Sequence, residues 1–204
     1  MTREAIKSDS TLIARLHSET LSSSFLASLG QGFLNCLYIF LIKNEKVWVY
    51  EENQQIKGFV SFSRNSAGMM KRFVFTCPIS VLFLLGKFFK NPKILKRTFE
   101  TFLAPFKSKR TFINSGSQVS VPSAELLSIS VSPDCQSSGI GLELLDSLEH
   151  YLVEHHILEY KVIAGEKLIS ANKFYLKNDF ILLTKLNVHE NMSSNVYIKK
   201  LNGK

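Results

Sequence analysis

The chain has 204 residues, 45% hydrophobic and 21% charged, which suits a single domain with a sizeable core and excludes a disordered chain. Three cysteines far apart, Cys36, Cys77 and Cys135, exclude a disulfide framework and a zinc-finger spacing, and point to a reducing, cytoplasmic compartment. The formal charge of +8 sits in one place: residues 69–110 hold ten basic side chains and one acidic one, so the remainder is close to neutral.

Residues 3–7 have the character of a first edge strand, and Ser8, Asp9 and Ser10 offer N-caps for a helix carrying Leu12, Ile13, Leu16 and Leu21. The opening residues lack the apolar core of a secretory leader. A second helical stretch covers 24–42, with Phe25, Leu26 and Leu29 before Gly30 and Phe33, Leu34, Leu37, Tyr38 and Leu41 after it; it is expected to form core and the wall of a cleft. Residues 47–50 and 56–62 are strand-like, and the polar turn 51–54 between them predicts an antiparallel hairpin.

Residues 69–110 then predict a helical insertion of about two amphipathic helices. Phe73, Val74, Ile79, Leu82, Phe83, Leu85, Phe88 and Phe89 supply its apolar face, bordered by lysines and arginines. Either this insertion packs on the domain with its charges solvated, or it presents a surface to an anionic partner: a nucleotide-linked substrate, a lipid phosphate or the membrane face. No nucleic-acid motif accompanies it, so no nucleic-acid partner is expected. The apolar run 73–86 is too short to span a bilayer and contains Pro78.

After a polar connector at 115–123, Leu126-Leu127-Ser128-Ile129-Ser130-Val131 has strand length and is closed by Pro133. Beyond it Leu142, Leu145, Leu148 and Leu152 recur at helical spacing. Between strand and helix lies Gln136-Ser137-Ser138-Gly139-Ile140-Gly141. Glycines there let the backbone turn and expose successive N–H groups, and the following helix adds the positive end of its dipole, an arrangement suited to a phosphate or pyrophosphate. The spacing is neither that of a P-loop nor that of a dinucleotide fingerprint. Residues 159–164 predict a strand parallel to the one at 126–131, because a helix intervenes. A short helix at 170–178 and a hairpin of 180–188 with 195–201, turning at 191–194, close the chain.

Two motifs carry a resemblance. The Q-x-x-G-x-G at Gln136 to Gly141, behind the V-x-P strand end at Val131, resembles the acetyl-CoA pyrophosphate loop of the GNAT N-acetyltransferase superfamily. Ala171-Asn172-Lys173-Phe174-Tyr175-Leu176-Lys177-Asn178-Asp179-Phe180 resembles the A-x-x-F-Y-x-K-x-G-F helix of the same superfamily, one strand later as the family requires. The resemblance covers 125–180 clearly and the flanking strands loosely, and residues 29–38 are similar to bacterial members associated with surface-polysaccharide biosynthesis. Ser137 and Asp179 depart from the pattern where glycine is usual.

What the resemblance implies is a single α/β domain over 1–204. Its mixed, mostly antiparallel sheet would contain a splayed parallel pair and carry helices on both faces. Acetyl-CoA would be the co-substrate. Ile129 and Val131 would offer backbone to the pantetheine arm, Gln136, Ser137, Ser138, Gly139, Ile140 and Gly141 would hold the pyrophosphate, and Asn172 would reach the cofactor. Tyr175 would protonate the departing thiolate. Glu125 is the first candidate base and Glu166 the second; His155 and His156, at a helix end, suit capping. No metal-ligand set exists among the five histidines, so no metal is expected. The expected acceptor is a small amine such as an amino sugar. A protein or peptide amine, and a CoA-binding or membrane-surface adaptor without turnover, are the alternatives.

Overall fold

The computed structural model describes residues 1–22, 24–77, 112–114, 117–119, 121–189 and 192–202. Its strands are β1 (Thr2–Glu4), β2 (Lys46–Glu52), β3 (Gln55–Ser63), β4 (Phe112–Asn114), β5 (Ser117–Val119), β6 (Glu125–Val131), β7 (Glu159–Gly165), β8 (Ile181–His189) and β9 (Met192–Lys200). Its α-helices are α1 (Ser10–Thr20), α2 (Phe25–Ser28), α3 (Gln31–Asn44), α4 (Ser66–Thr76), α5 (Ile140–Glu154) and α6 (Ile169–Lys177).

Seven strands form one sheet in the order β1-β2-β3-β6-β7-β9-β8, antiparallel at every junction except β6–β7. The β2–β3 hairpin turns on Asn53 and Gln54, both at positive φ (50° and 60°), as a two-residue turn with matching twist requires. Strands β4 and β5 pair antiparallel as a separate ribbon, so Ser117–Val119, within the connector expected at 115–123, is a strand.

Each face of the sheet carries its own core. Ile13, Leu34, Tyr38, Val49, Phe59 and Phe73 belong to the α1/α3/α4 side, whereas Val60, Leu126, Leu144, Leu148, Leu152 and Tyr160 belong to the α5/α6 side. A fully buried Leu or Phe contributes roughly 1.5–3 kcal/mol, and these two layers fix the sheet between them.

The helix expected at 24–42 is two helices. Gly30 at φ 93° breaks the run, and Ser24 caps the short α2 by accepting from the Ala27 N–H at 3.1 Å. On α5 the buried positions are Ile140, Leu144, Leu145, Leu148 and Leu152; Leu142, expected inside, is 46% exposed because the inward face runs through 144 and 148. Of the basic insertion expected at 69–110, the described part is the end of α4, which is built into the core. The Phe73 ring is fully buried, edge-on to Phe33 and Phe40 at 5.5 and 5.3 Å. Residues 78–111 lie outside the described residues. No helix among the described residues is long and apolar enough to cross a membrane.

Candidate active site

The site is built where β6 parts from β7. These strands are in register only at Glu125↔Lys161 and Leu126↔Val162, with a further bond from the Lys161 N–H to the Ala124 carbonyl at 3.0 Å. Beyond Leu126 the two diverge. The β3–β6 register slips at the same level, with Ser61 opposite Ser128 but Phe62 opposite Leu126, so Leu127 is the extra residue of a β-bulge.

The bulge changes which backbone groups face the gap. The Ser132 N–H donates to the Lys57 carbonyl at 2.7 Å, toward β3. By the two-residue alternation of a strand, Ser130 and Ser128 also face β3, and the N–H and C=O groups of Ile129 and Val131 face the parted edge. Their side chains pack against the α5 core, whereas Ser130 donates to Thr20 of α1 on the opposite face at 2.6 Å.

At the end of β6 the chain makes one 3-10 turn, Pro133–Cys135, then the loop 136–141. Ser137 (φ 63°) and Gly139 (φ 91°) both adopt left-handed backbone. Among the described residues, none accepts a hydrogen bond from the N–H groups of Gln136, Ser137, Ser138, Gly139, Ile140 or Gly141. The last two open α5, where the helix dipole adds positive potential. The Ser138 hydroxyl ties the loop down by donating to the Cys135 carbonyl at 2.6 Å. Two glycines allow close approach here. A Cβ at Gly58 of β3 would lie 3.0 Å from both Ile140 and Leu144, so its absence lets α5 settle on the sheet. A Cβ on Gly141 would touch the Phe174 ring at 3.4 Å and Val131 at 3.8 Å, so loop, central strand and α6 converge at that point.

Tyr175 lies on α6 beside this convergence, 5% exposed, its ring tilted against Tyr197 at 5.7 Å and edge-on to Phe180 at 5.3 Å. Burial pushes its phenol well above the ordinary tyrosine range, so it is protonated at neutral pH. The Asn172 side chain is engaged within the protein. Its Nδ2 donates to the carbonyls of Gly165, Glu166 and Leu168 at 3.0, 3.2 and 2.7 Å, and its Oδ1 accepts from Asn195 and the Tyr197 hydroxyl at 2.9 and 2.8 Å. It pins the β7–α6 turn.

Both candidate bases are paired with lysines. Glu125, at the closed end of β6, lies 3.3 Å from Lys161, whose ammonium also donates to the Pro122 carbonyl at 2.5 Å. Glu166 accepts from Lys185 at 2.5 Å and from Ser193, and Lys185 chiefly holds its carboxyl below the usual range. His155 contacts the Tyr151 carbonyl at 2.9 Å through Nδ1, the capping geometry expected of it. No cluster of metal-ligating side chains exists among the described residues. Sequence reasoning did not single out the Leu127 bulge, Gly58, Lys57 or Asp134. Gly58 alone left a trace, as a glycine inside a strand.

A parallel pair that parts beside a bulged central strand thus leads into a loop at a helix start whose N–H groups have no acceptor among the described residues. Residues 97–200 match the family model described as "Acetyltransferase (GNAT) domain". The chain belongs to the GNAT acetyltransferase family, and its class is that of the acetyl-CoA-dependent N-acetyltransferases.

Among solved structures the fold is similar to Ard1 from Thermoplasma volcanium, with a TM-score of 0.62 at 15% identity over 99% of this chain and 97% of that one. It is similar to an N-acetyltransferase from Staphylococcus aureus Mu50, with a TM-score of 0.61 at 14% identity over 99% and 98%. A ribosomal-protein-alanine N-acetyltransferase from Brucella melitensis gives a TM-score of 0.61 at 14% identity over 98% and 99%. Among curated proteins none matches the sequence. The resemblance of residues 29–38 to polysaccharide-associated members has no counterpart in these three descriptions.

Proposed function

We propose that the protein transfers an acetyl group from acetyl-CoA to the primary amine of a small molecule, such as an amino sugar or a nucleotide-linked amino sugar, directly within a ternary complex. The observation that carries this reading is that, among the described residues, the six N–H groups at 136–141 have no protein acceptor and the strand before them is unpaired with β7 beyond Leu126. Such a run suits a diphosphate, and the edge beside Ile129 and Val131 suits an amide-bearing arm.

When bound, acetyl-CoA supplies an activated thioester. The residues of the chain then divide the work. Gln136, Ser137, Ser138, Gly139, Ile140 and Gly141 bind the diphosphate through their N–H groups. Ile129 and Val131 orient the arm through backbone hydrogen bonds, and an N–H at that edge stabilises negative charge developing on the carbonyl oxygen. Tyr175 holds a proton on its hydroxyl and gives it to the leaving sulfur. Glu125 accepts the amine's proton, directly or through water. Asn172 serves by position, keeping α6 and Tyr175 against the gap.

A peptide amine is the second acceptor class, supported by the name of the Brucella melitensis structure. The basic segment at 69–110 favours an anionic acceptor over a neutral one, or a membrane surface close by. The test is free thiol release from acetyl-CoA against amino sugars, nucleotide-linked amino sugars, polyamines and peptides. Turnover confined to one class names the acceptor. Saturable acetyl-CoA binding without turnover on any of them would favour an adaptor.

A further inference from the structure

Lys57 stands on β3 at the mouth of the loop and is fixed there twice. Its carbonyl accepts the Ser132 N–H at 2.7 Å where β6 ends, and its ammonium donates to Asp134 Oδ2 at 2.9 Å. The β2–β3 register also slips here. Tyr50 pairs with Gly58 and Glu51 with Ile56, so Lys57 is the extra residue of a bulge, a device that re-aims a side chain. The Lys57 side chain is only 20% exposed, unlike a solvated surface lysine.

Asp134 belongs to the 3-10 turn that leads into the loop, two residues before Gln136. Its other oxygen accepts from the Ser132 hydroxyl. That bond, and next the Lys57 ammonium, hold the carboxyl well below the usual carboxylate range. Asp134 is therefore a fixed negative charge beside a loop whose N–H groups are arranged for an anion. Unopposed, it would repel a diphosphate brought to residues 136–141.

We infer that Lys57 is a positioning residue for the phosphates of the acyl donor: through Asp134 it holds the turn that launches the loop, and it offsets the charge of that carboxylate. The inference rests on the reading of residues 136–141 as a diphosphate cradle. It has a chemical signature, because the effect of Lys57 must follow the phosphate-bearing half of the donor and leave its pantetheine half untouched. A partly exposed Lys–Asp pair adds little to stability, so the variants fold.

The test is equilibrium binding, which needs no acceptor. Affinities are measured for acetyl-CoA and, by competition, for S-acetylpantetheine, a thioester with neither diphosphate nor nucleotide. Lys57→Met is expected to weaken acetyl-CoA about tenfold while S-acetylpantetheine changes by less than about twofold. Lys57→Arg restores most of the loss. Lys57→Met combined with Asp134→Asn recovers part of it, because the unopposed charge has gone. An unchanged acetyl-CoA affinity in Lys57→Met, or an equal loss for both thioesters, overturns the inference. A wild-type protein that binds no acetyl-CoA overturns the loop reading itself, and that result is recognised before any variant is made.

Discussion

The backbone N–H of Phe180 donates to the carbonyl of Tyr175 at 3.1 Å, and the two rings meet 5.3 Å apart. This is a Schellman end to α6: Asp179 takes left-handed backbone at φ 64°, and the residue after it packs back on the last turn. The position of the Tyr175 ring thus depends on a turn four residues further along the chain. Removing the Tyr175 hydroxyl should remove chemistry and leave the packing. Tyr175→Phe is expected to lower kcat by about 10²-fold or more with acetyl-CoA affinity unchanged, read by thiol release and by calorimetry. A kcat within about twofold of wild type would assign the proton to another donor.

Asp179 occupies backbone that glycine adopts without steric cost. Asp179→Gly should stabilise the protein by about 0.5–1 kcal/mol, a rise in Tm of roughly 1–4 °C in a thermal melt. A lower Tm would mean that the aspartate side chain contributes more than its backbone strain costs.

Gly58, on β3, lies against both α5 and β6. A methyl group there meets Ile140 and Leu144 at 3.0 Å and the Ser130 carbonyl at 3.1 Å, and backbone cannot yield as a side chain can. Gly58→Ala is expected to cost about 1–3 kcal/mol by urea unfolding and to weaken acetyl-CoA binding, because α5 carries the last two N–H groups of the loop. Unchanged stability would show that α5 shifts freely on the sheet.

Much of this was legible in the sequence, and the reasons differ by element. The strand, turn and helix over 125–154 and the helix at 169–177 were readable because their patterns are local: glycines at a turn, leucines at helical spacing, and two short motifs that carry the family resemblance. The two departures, Ser137 and Asp179, fall at left-handed positions, which explains why glycine is usual there. The Leu127 and Lys57 bulges were not readable, since a register slip is a property of two strands together and neither strand alone encodes it. The partners of Asn172 were hidden for the same reason: Asn195 and Tyr197 arrive from a strand some twenty residues later. Leu142 was misplaced because leucines at four positions fit two overlapping helix faces, and contact with the sheet chooses between them.

His17 supplies a stability prediction independent of the site. It is 1% exposed, stacked on Phe59, with Nδ1 2.7 Å from the Tyr38 hydroxyl and Nε2 3.3 Å from Ser24 Oγ. Burial pushes its pKa down from 6.5 to about 4. Between those values the unfolded chain binds a proton that the native protein does not, so this residue makes stability fall as pH falls, by about 3 kcal/mol in total. Urea midpoints at pH 7.5 and 4.5 should therefore differ less in His17→Gln than in the wild type. Equal differences would show that His17 takes up its proton in the native state as readily as in the unfolded chain.

The central claim, that residues 136–141 are a diphosphate cradle, is tested most directly by calorimetric titration of acetyl-CoA into the wild type and Gly139→Val. The substitution strains a residue at φ 91° whose Cβ would meet open space, so it distorts the loop without filling a core. The expected result is saturable binding to the wild type, displaced by free CoA and weakened at least about tenfold in the variant. Equal affinity in both proteins, or no binding to either, would contradict the account.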